Sequence, residues 1–235
     1  MLQAVIRKKF ATAPDAADDD VSAGSNAKRE DTLTSTVLGL LLQLPDKLLW
    51  QVLHQASNPK LLPEDGGELL SYEFWPHWSA AGIQNDDGSE RRFVEPDFFL
   101  QFAHCDLIGE AKYGSLQYEQ QWSNEIRAYH NEYGRDKLCF LLAIGGNDYA
   151  SKGVEENANG VKVIRLEWYE LLQALQRVSV KQDGSVKRTL QFLQQALAYF
   201  GLASFSFLEE LQPWNDVDLE LSAHTPLVRV GLADI

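Results

Sequence analysis

The order of helical and extended segments along the 235 residues predicts an α/β fold, with a mixed central sheet flanked by helices and a C-terminal helical extension. Three observations favour this fold class. Apolar residues at spacings of three and four mark a helix near residues 30–44. A continuous apolar run over residues 137–144 is typical of a strand buried on both faces. Residues 161–166 and 167–177 then give a further strand followed by a helix.

The elements predicted in order divide the chain into three parts. Residues 1–29 lack apolar periodicity and are expected to be a flexible lead-in, residues 30–180 form the core, and residues 181–235 form the helical extension. The helices are expected at residues 30–44, 47–55, 116–129 and 167–177, with two more within 187–211. The strands are expected at residues 69–78, 92–102, 105–113, 137–144 and 161–166, with a turn at 85–89.

The composition limits the classes of function. The chain has 21 Lys+Arg against 34 Asp+Glu and a net charge of −13, whereas proteins that grip nucleic acid through its phosphates are usually basic. Any contact with nucleic acid must therefore depend on local positive patches, a metal ion or a basic partner. Two cysteines, Cys105 and Cys139, exclude a disulfide scaffold. No apolar run approaches the ~20 residues of a membrane span, and the start lacks the order of a secretory signal, so we expect a cytoplasmic protein without membrane contact.

The two predicted strands at residues 92–113 carry the pattern that points to chemistry. If they form an antiparallel hairpin turning at residues 103–104, Asp97 lies opposite Glu110 and Glu95 lies opposite Lys112. These four charged side chains then share one face of the sheet. The other face is apolar and carries Phe98, Leu100, Phe102, Leu107, Gly109 and Ala111.

The opposed carboxylates of Asp97 and Glu110 need a compensating group. Directly opposed residues lie about 4.5–5.5 Å apart at Cβ, where like charges are destabilising. Either one acid holds a proton at a raised pKa, or a divalent cation sits between them. Mg²⁺ binds one or two carboxylates and keeps several waters for a substrate phosphate. Lys112 on the same face can orient or deprotonate an attacking water, so the set suits metal-assisted phosphodiester hydrolysis.

The sequence Pro96-Asp97 followed by Glu110-Ala111-Lys112 resembles the signature of the PD-(D/E)XK nuclease superfamily, which has the restriction-endonuclease-like fold. The resemblance implies that Asp97 and Glu110 bind Mg²⁺ or Mn²⁺ and that Lys112 is the catalytic lysine. It also implies that the carbonyl of Ala111 completes the metal shell.

Two further site residues follow from the same resemblance, which covers roughly residues 28–170. Glu30, on the helix before the first strand, is implied as a further metal ligand, with Asp31 as the alternative. Gln121, on the helix after the lysine strand, is implied as a catalytic-site residue, with Gln117 competing for that position. Without the resemblance, Glu30 is equally compatible with an acid in the first turn of a helix, favoured there by the helix dipole.

Structural roles compete with the catalytic ones. Asp97, Glu110 and Lys112 would also suit a salt-bridge ladder on an exposed sheet face, where such pairs contribute little to stability. Glu95 is expected to be a structural partner of Lys112 or Arg92. The tryptophans, among them Trp75, Trp78 and Trp122, could stack on bases, although aromatic residues in such positions usually belong to the core.

The expected function is hydrolysis of phosphodiester bonds in nucleic acid, with DNA as the expected partner. A homodimer would suit cutting of both strands, and restriction, repair and phage defence are all compatible. The alternative is a non-catalytic binding or assembly module that keeps the fold and docks a basic protein partner through its acidic surface. The tail contributes acids to that surface at Glu209, Glu210, Asp216, Asp218 and Glu220. A third reading, acid/base catalysis on a small substrate, predicts a closed apolar pocket.

Overall fold

The computed structural model describes residues 23–57, 61–84, 88–147, 154–156 and 160–202. Within them, five strands form a mixed sheet flanked by helices, and a three-residue strand adds a sixth at one edge. The chain is therefore an α/β protein with a mixed sheet, as the sequence predicts. The lead-in up to residue 22, the centre of the expected turn at residues 85–89 and the acidic tail lie outside the described residues.

The described residues form five helices and eight strands. The helices are α1 (Ala23–Leu41), α2 (Asp46–Ala56), α3 (Glu119–Tyr133), α4 (Trp168–Ser179) and α5 (Gly184–Tyr199). The strands are β1 (Leu69–Phe74), β2 (Trp78–Ser79), β3 (Phe93–Val94), β4 (Phe98–Phe102), β5 (Asp106–Ala111), β6 (Cys139–Ile144), β7 (Val154–Glu156) and β8 (Lys162–Leu166). None of these helices is both long and apolar enough to cross a lipid bilayer.

The main sheet combines an antiparallel half and a parallel half. Its strand order is β1-β4-β5-β6-β8-β7. The pairs β1–β4 and β4–β5 are antiparallel, β5, β6 and β8 run parallel, and the edge strand β7 is antiparallel to β8. Parallel neighbours need a crossover connection, and α3 supplies it between β5 and β6. Strands β2 and β3 form a separate small antiparallel sheet.

The β4–β5 hairpin has the predicted register over its length. Phe98 pairs with Gly109 and Gln101 with Asp106, which confirms the turn at residues 103–104. The ring of Phe98 lies directly over Gly109, where an added Cβ would be 1.9 Å from the ring, so this pairing needs glycine. The register departs at Asp97, whose amide donates to the Gly109 carbonyl at 3.0 Å. This offset has the form of a β-bulge, and Asp97 is not the direct partner of Glu110.

Helices cover both faces of the sheet. One apolar cluster joins α1, α2, α4 and α5 to the sheet face that carries Phe98, Leu100 and Phe102, so the predicted apolar face is confirmed. A second cluster joins α3 and the β2–β3 sheet to the opposite face, through residues such as Phe99 and Ile108. An exposed salt-bridge ladder is therefore wrong for this sheet, because no face of β4 or β5 is left open to solvent.

Several element boundaries differ from the predicted ones. Helix α1 begins at Ala23 and not near Glu30. Ala27, Lys28 and Arg29 favour helix even without an apolar stripe, whereas the propensities of Gly24, Ser25 and Asn26 do not predict the first turn. The strand predicted over residues 92–102 is split into β3 and β4, since Pro96 has no amide to donate to a neighbouring strand. Helix α5, within the expected extension, packs into the larger apolar cluster together with α1 and α4.

Candidate active site

The end of β5 gathers most of the residues that the sequence singled out. Glu110 and Ala111 are the last residues of β5, and Lys112 follows them directly. Asp97 reaches this point from the start of β4, because its Oδ2 accepts a hydrogen bond of 2.8 Å from the Ala111 amide. Glu30 reaches it from α1, 3.3 Å from the Lys112 ammonium. The structure thus brings Glu30 and Asp97, which are distant in the sequence, to the neighbouring residues Glu110 and Lys112.

The carboxylate of Asp97 is held in place by two donors. Its Oδ2 accepts a hydrogen bond from the Ala111 amide, and its Oδ1 accepts one of 3.2 Å from the indole Nε1 of Trp75. The main-chain amide of Trp75 also donates to the Asp97 carbonyl at 3.1 Å. Trp75 has φ of 49°, a left-handed conformation that is costly for a bulky side chain. The sequence did not reveal that Trp75 would orient Asp97, because this contact depends on that unusual backbone conformation.

Lys112 forms ion pairs with two carboxylates. Its Nζ contacts Glu110 Oε1 and Glu30 Oε1, and the Lys112 side chain is only 14% exposed. Burial acts to lower the pKa of Lys112, but the charges of Glu110, Glu30 and Asp97 outweigh it and hold that pKa above its ordinary value. Lys112 is therefore a firmly protonated ammonium in this arrangement. It is suited to orienting water or offsetting negative charge, and less suited to removing a proton.

Glu30 ties helix α1 to the end of β5. Besides its contact with Lys112, its Oε2 accepts hydrogen bonds from the Tyr113 amide at 2.8 Å and from the Ser115 hydroxyl at 3.2 Å. Glu30 lies beyond the first turn of α1, so the reading of Glu30 as a first-turn acid is wrong. The predicted proximity of Glu30 to Lys112 is observed, and its role as a metal ligand stays a prediction.

Glu95 does not join this group. Its carboxylate lies 2.6 Å from His77 Nε2, while Lys112 forms ion pairs with Glu30 and Glu110. The expected position of Glu95 opposite Lys112 is therefore wrong. The physical reason is the break at Pro96 and the bulge at Asp97, which let the preceding residues pair in the β2–β3 sheet instead of continuing along β5.

Glu125, on helix α3, is a site residue that the sequence reasoning missed. It is 1% exposed and lies beside the carboxylate of Glu110 and the amide of Gln121. Neither of its oxygens has a hydrogen bond of acceptable geometry among the described residues. One signal was present in the sequence: Glu125 falls on the helix face that buries Trp122 and Ile126, where a carboxylate is out of place.

Three acids of this group have raised pKa values because they are removed from water. Burial raises the pKa of Glu125 to about 8. Burial, and then the neighbouring charge of Glu125, raises the pKa of Glu110 well above its usual range. Burial, and then the charge of Glu110, does the same for Asp97. The group therefore holds more acid than the ammonium of Lys112 can neutralise.

The two competing glutamines lie at different points of the site. Gln121 lies one helical turn before Glu125 and beside its carboxylate. Gln117 acts on the main chain, because its Nε2 donates to the carbonyls that end two neighbouring strands, those of Glu110, Ile144 and Gly145. Its Oε1 accepts the indole N–H of Trp122 at 2.9 Å. Gln117 thus fixes the loop before α3, and Gln121 is the glutamine that reaches the acids.

The tryptophans considered for base stacking are buried. Trp75, Trp78 and Trp122 are each at most 3% exposed and belong to the two apolar clusters. Arginines instead line a separate cavity of about 270 Å³, formed by the loop after β2 and the segment before β3, to which Arg91 and Arg92 contribute. The guanidinium group of Arg127, on α3, approaches Gly82 of the same loop.

The donor set suits a hard divalent cation. Glu30 from α1 and Glu125 from α3 bring further carboxylates to Asp97 and Glu110, and oxygen ligands of this kind are those that Mg²⁺ and Mn²⁺ prefer. The two oxygens of Glu125, buried and without a hydrogen-bond partner among the described residues, are the structural sign that this acid lacks a counterpart. Among the described residues, however, no three His, Cys, Asp or Glu side chains are already converged as metal ligands. Binding would therefore require the carboxylates to rotate.

Comparison with protein-family models, with curated proteins and with solved structures finds no match to this chain.

Proposed function

We propose that this chain is a metal-dependent nuclease of the PD-(D/E)XK type, with a restriction-endonuclease-like core, that hydrolyses phosphodiester bonds in nucleic acid, with DNA as the expected substrate. The observation that carries the proposal is the grouping of Asp97, Glu110 and Lys112 with Glu30 at the end of β5. The chain places buried acids in excess of positive charge at one point, which costs stability and is typical of functional sites.

The proposal gives the residues of this group two roles, that of metal ligand and that of positively charged hydrogen-bond donor. Asp97 and Glu110 would hold Mg²⁺ or Mn²⁺, with Glu30 and the carbonyl of Ala111 as further ligands. The metal ion supplies Lewis acidity and lowers the pKa of a bound water. Lys112 supplies the positive charge, and Gln121 lies beside the acids on α3.

Lys112 must change partner for this chemistry. Its ammonium is occupied by Glu110 and Glu30 in the structure. Once it turns away from Glu110, it can donate to the attacking water or to a phosphate oxygen, and the charges of Glu30 and Asp97, which also raise its pKa, would then help to keep it protonated. The firm protonation favours an orienting and charge-offsetting role over that of a general base.

Phosphate contacts in a chain with a net charge of −13 must be local. Arg91 and Arg92 line the cavity near the β2–β3 sheet, and Arg127 approaches the same loop from α3. Helix α3 carries Glu125 towards the site and Arg127 towards this loop. We expect these guanidinium groups to position the nucleic-acid backbone without reading its sequence.

The test is a cleavage assay on purified protein with single- and double-stranded DNA and RNA, in Mg²⁺ or Mn²⁺. We expect Asp97→Asn and Lys112→Met to lower the cleavage rate by at least about a hundredfold. Asp106→Asn is the matched control, because Asp106 is a buried acid at the other end of β5 and should keep the rate of the folded protein. Near-UV circular dichroism verifies that each variant is folded.

Two results would contradict the proposal. One is the absence of cleavage of every substrate with both cations. The other is cleavage that falls equally in Asp106→Asn and in Lys112→Met, which would point to a contaminant or to a general loss of structure. A stoichiometric protein partner together with no cation binding would instead favour the non-catalytic binding module.

A further inference from the structure

The carboxylate of Glu125 lies in a place where an acid needs a counterpart. It belongs to the buried face of α3, is 1% exposed, and has no hydrogen bond of acceptable geometry to either oxygen among the described residues. An unpaired carboxylate removed from water is strongly destabilising, so such groups take up a proton or bind a cation. On α3 itself the adjacent buried residues, Trp122 and Ile126, are apolar and offer the carboxylate no partner.

The groups around Glu125 point to a cation. Its neighbours are the Glu110 carboxylate, the Gln121 amide, the Asp97 carboxylate and the Lys112 ammonium. The positive charge of Lys112 is already shared between Glu110 and Glu30. Glu125 is thus a further acid in a group whose ammonium is engaged by two other acids.

We infer that Glu125 is a further cation ligand, so that a hard divalent cation such as Mg²⁺ or Mn²⁺ is held by carboxylates from both β5 and α3. The inference rests on the proposed function and extends its site to a residue outside the Asp97, Glu110 and Lys112 motif. The Glu110 and Glu125 carboxylates turn about terminal bonds with broad torsional minima, so small rotations suffice to aim both at one ion. Gln121, one turn before Glu125, is then a positioning residue for that carboxylate.

The experiment measures Mn²⁺ binding directly, without nucleic acid, by isothermal titration calorimetry on the full chain. Glu125→Gln keeps the shape of a protonated glutamate and removes the charge. We expect it to weaken Mn²⁺ binding by about tenfold or more. Glu119→Gln is the matched control, since Glu119 lies on the same helix with its side chain 74% exposed, and it should bind Mn²⁺ as the wild type does.

The outcomes separate this inference from the proposed function. Equal Mn²⁺ affinity in Glu125→Gln and wild type overturns the role of Glu125, while the proposed function stands if Asp97→Asn and Lys112→Met still abolish cleavage. No Mn²⁺ binding by the wild type overturns both. If Glu125→Gln does not fold, Glu125→Asp decides: a carboxylate set back by one methylene should bind Mn²⁺ more weakly, and an unchanged affinity overturns the inference.

Discussion

The two ends of strand β5 each bury an acid beside a lysine, but only one end balances its charge. At the first end, Asp106 Oδ1 lies 2.6 Å from the Lys137 ammonium, and Asp106 Oδ2 accepts the Tyr129 hydroxyl at 2.9 Å. Both carboxylate oxygens are therefore satisfied. At the other end, Lys112 pairs with both Glu110 and Glu30. The Glu125 carboxylate beside Glu110 has no hydrogen-bond partner for either oxygen among the described residues.

The difference separates a structural ion pair from a candidate functional site. A buried pair with complete hydrogen bonds has no remaining capacity for a ligand, and its role is to fix the strand. A group with more acids than positive charge is destabilising by itself and becomes favourable only when a proton or a cation is added. Sequence motifs alone do not make this distinction, because both ends present an acid and a lysine near the same strand.

Removal of the lysine at each end should give the largest contrast. Lys112→Met leaves several buried acids without their ammonium, and breaking a buried pair in this way costs about 3–5 kcal/mol in free energy of unfolding. Lys137→Met leaves Asp106 with the Tyr129 hydroxyl and should cost about 2 kcal/mol. Urea denaturation at pH 8 measures both values.

The same pair of variants should respond differently to pH. The acids at the Lys112 end have raised pKa values and can take up protons, so the cost of Lys112→Met should be smaller at pH 5 than at pH 8. An equal loss in free energy of unfolding for Lys112→Met and Lys137→Met at both pH values would contradict the contrast between the two ends of β5.

The stability of the metal-free wild type should fall as the pH rises from about 5 to 8. Glu125 ordinarily titrates near 4.5 but holds its proton in the folded protein up to a pKa of about 8. Between these values the folded state binds more protons than the unfolded state, so the free energy of unfolding decreases with pH. Asp97 and Glu110 act in the same direction. Thermal denaturation in EDTA measures the slope.

Charge-removing variants sharpen this pH dependence. Glu125→Gln has no carboxyl proton to lose, so the free energy of unfolding should depend less on pH in this variant. Glu119→Gln, which replaces an exposed acid, should leave that dependence unchanged. Added Mn²⁺ should restore stability at pH 8, because binding to the folded state alone stabilises it. A stability that rises steadily from pH 5 to 8 in EDTA would contradict the burial of excess acid.

The smallest effect is expected from the residue that orients Asp97. Trp75→Phe keeps an aromatic ring but removes the indole donor to Asp97 Oδ1, a loss of about 1 kcal/mol or somewhat more. If the orientation of Asp97 matters for the reaction, the cleavage rate should drop roughly tenfold. Trp78→Phe is the control, because Trp78 is equally buried but packs against Phe99 in the second cluster. Equal cleavage rates in Trp75→Phe and Trp78→Phe would show that the hydrogen bond from Trp75 to Asp97 does not contribute to the reaction.

Local patterns in the sequence sufficed for much of the sheet. The alternation of side chains predicted the β4–β5 register and the apolar face with Phe98, and the continuous apolar run predicted β6. These features depend on patterns within one strand or one hairpin, a period of two residues for β4 and β5 and an unbroken apolar run for β6, and such patterns are visible in the sequence. The bulge at Asp97 and the pairing of Glu95 with His77 were not predicted, because they depend on Pro96 and on contacts with β1 and β2.

The sequence by itself determined which residues could do chemistry and which face of each strand they occupy. Only the tertiary structure decided which of them meet. Glu30 and Lys112 are 82 positions apart, and Glu125 reaches Glu110 through the crossover helix α3. Such contacts arise from the packing of helices on both sheet faces, which buries large apolar areas and carries the polar side chains with it. No local period encodes that arrangement, and so the excess of acid at one end of β5 emerged only from the folded protein.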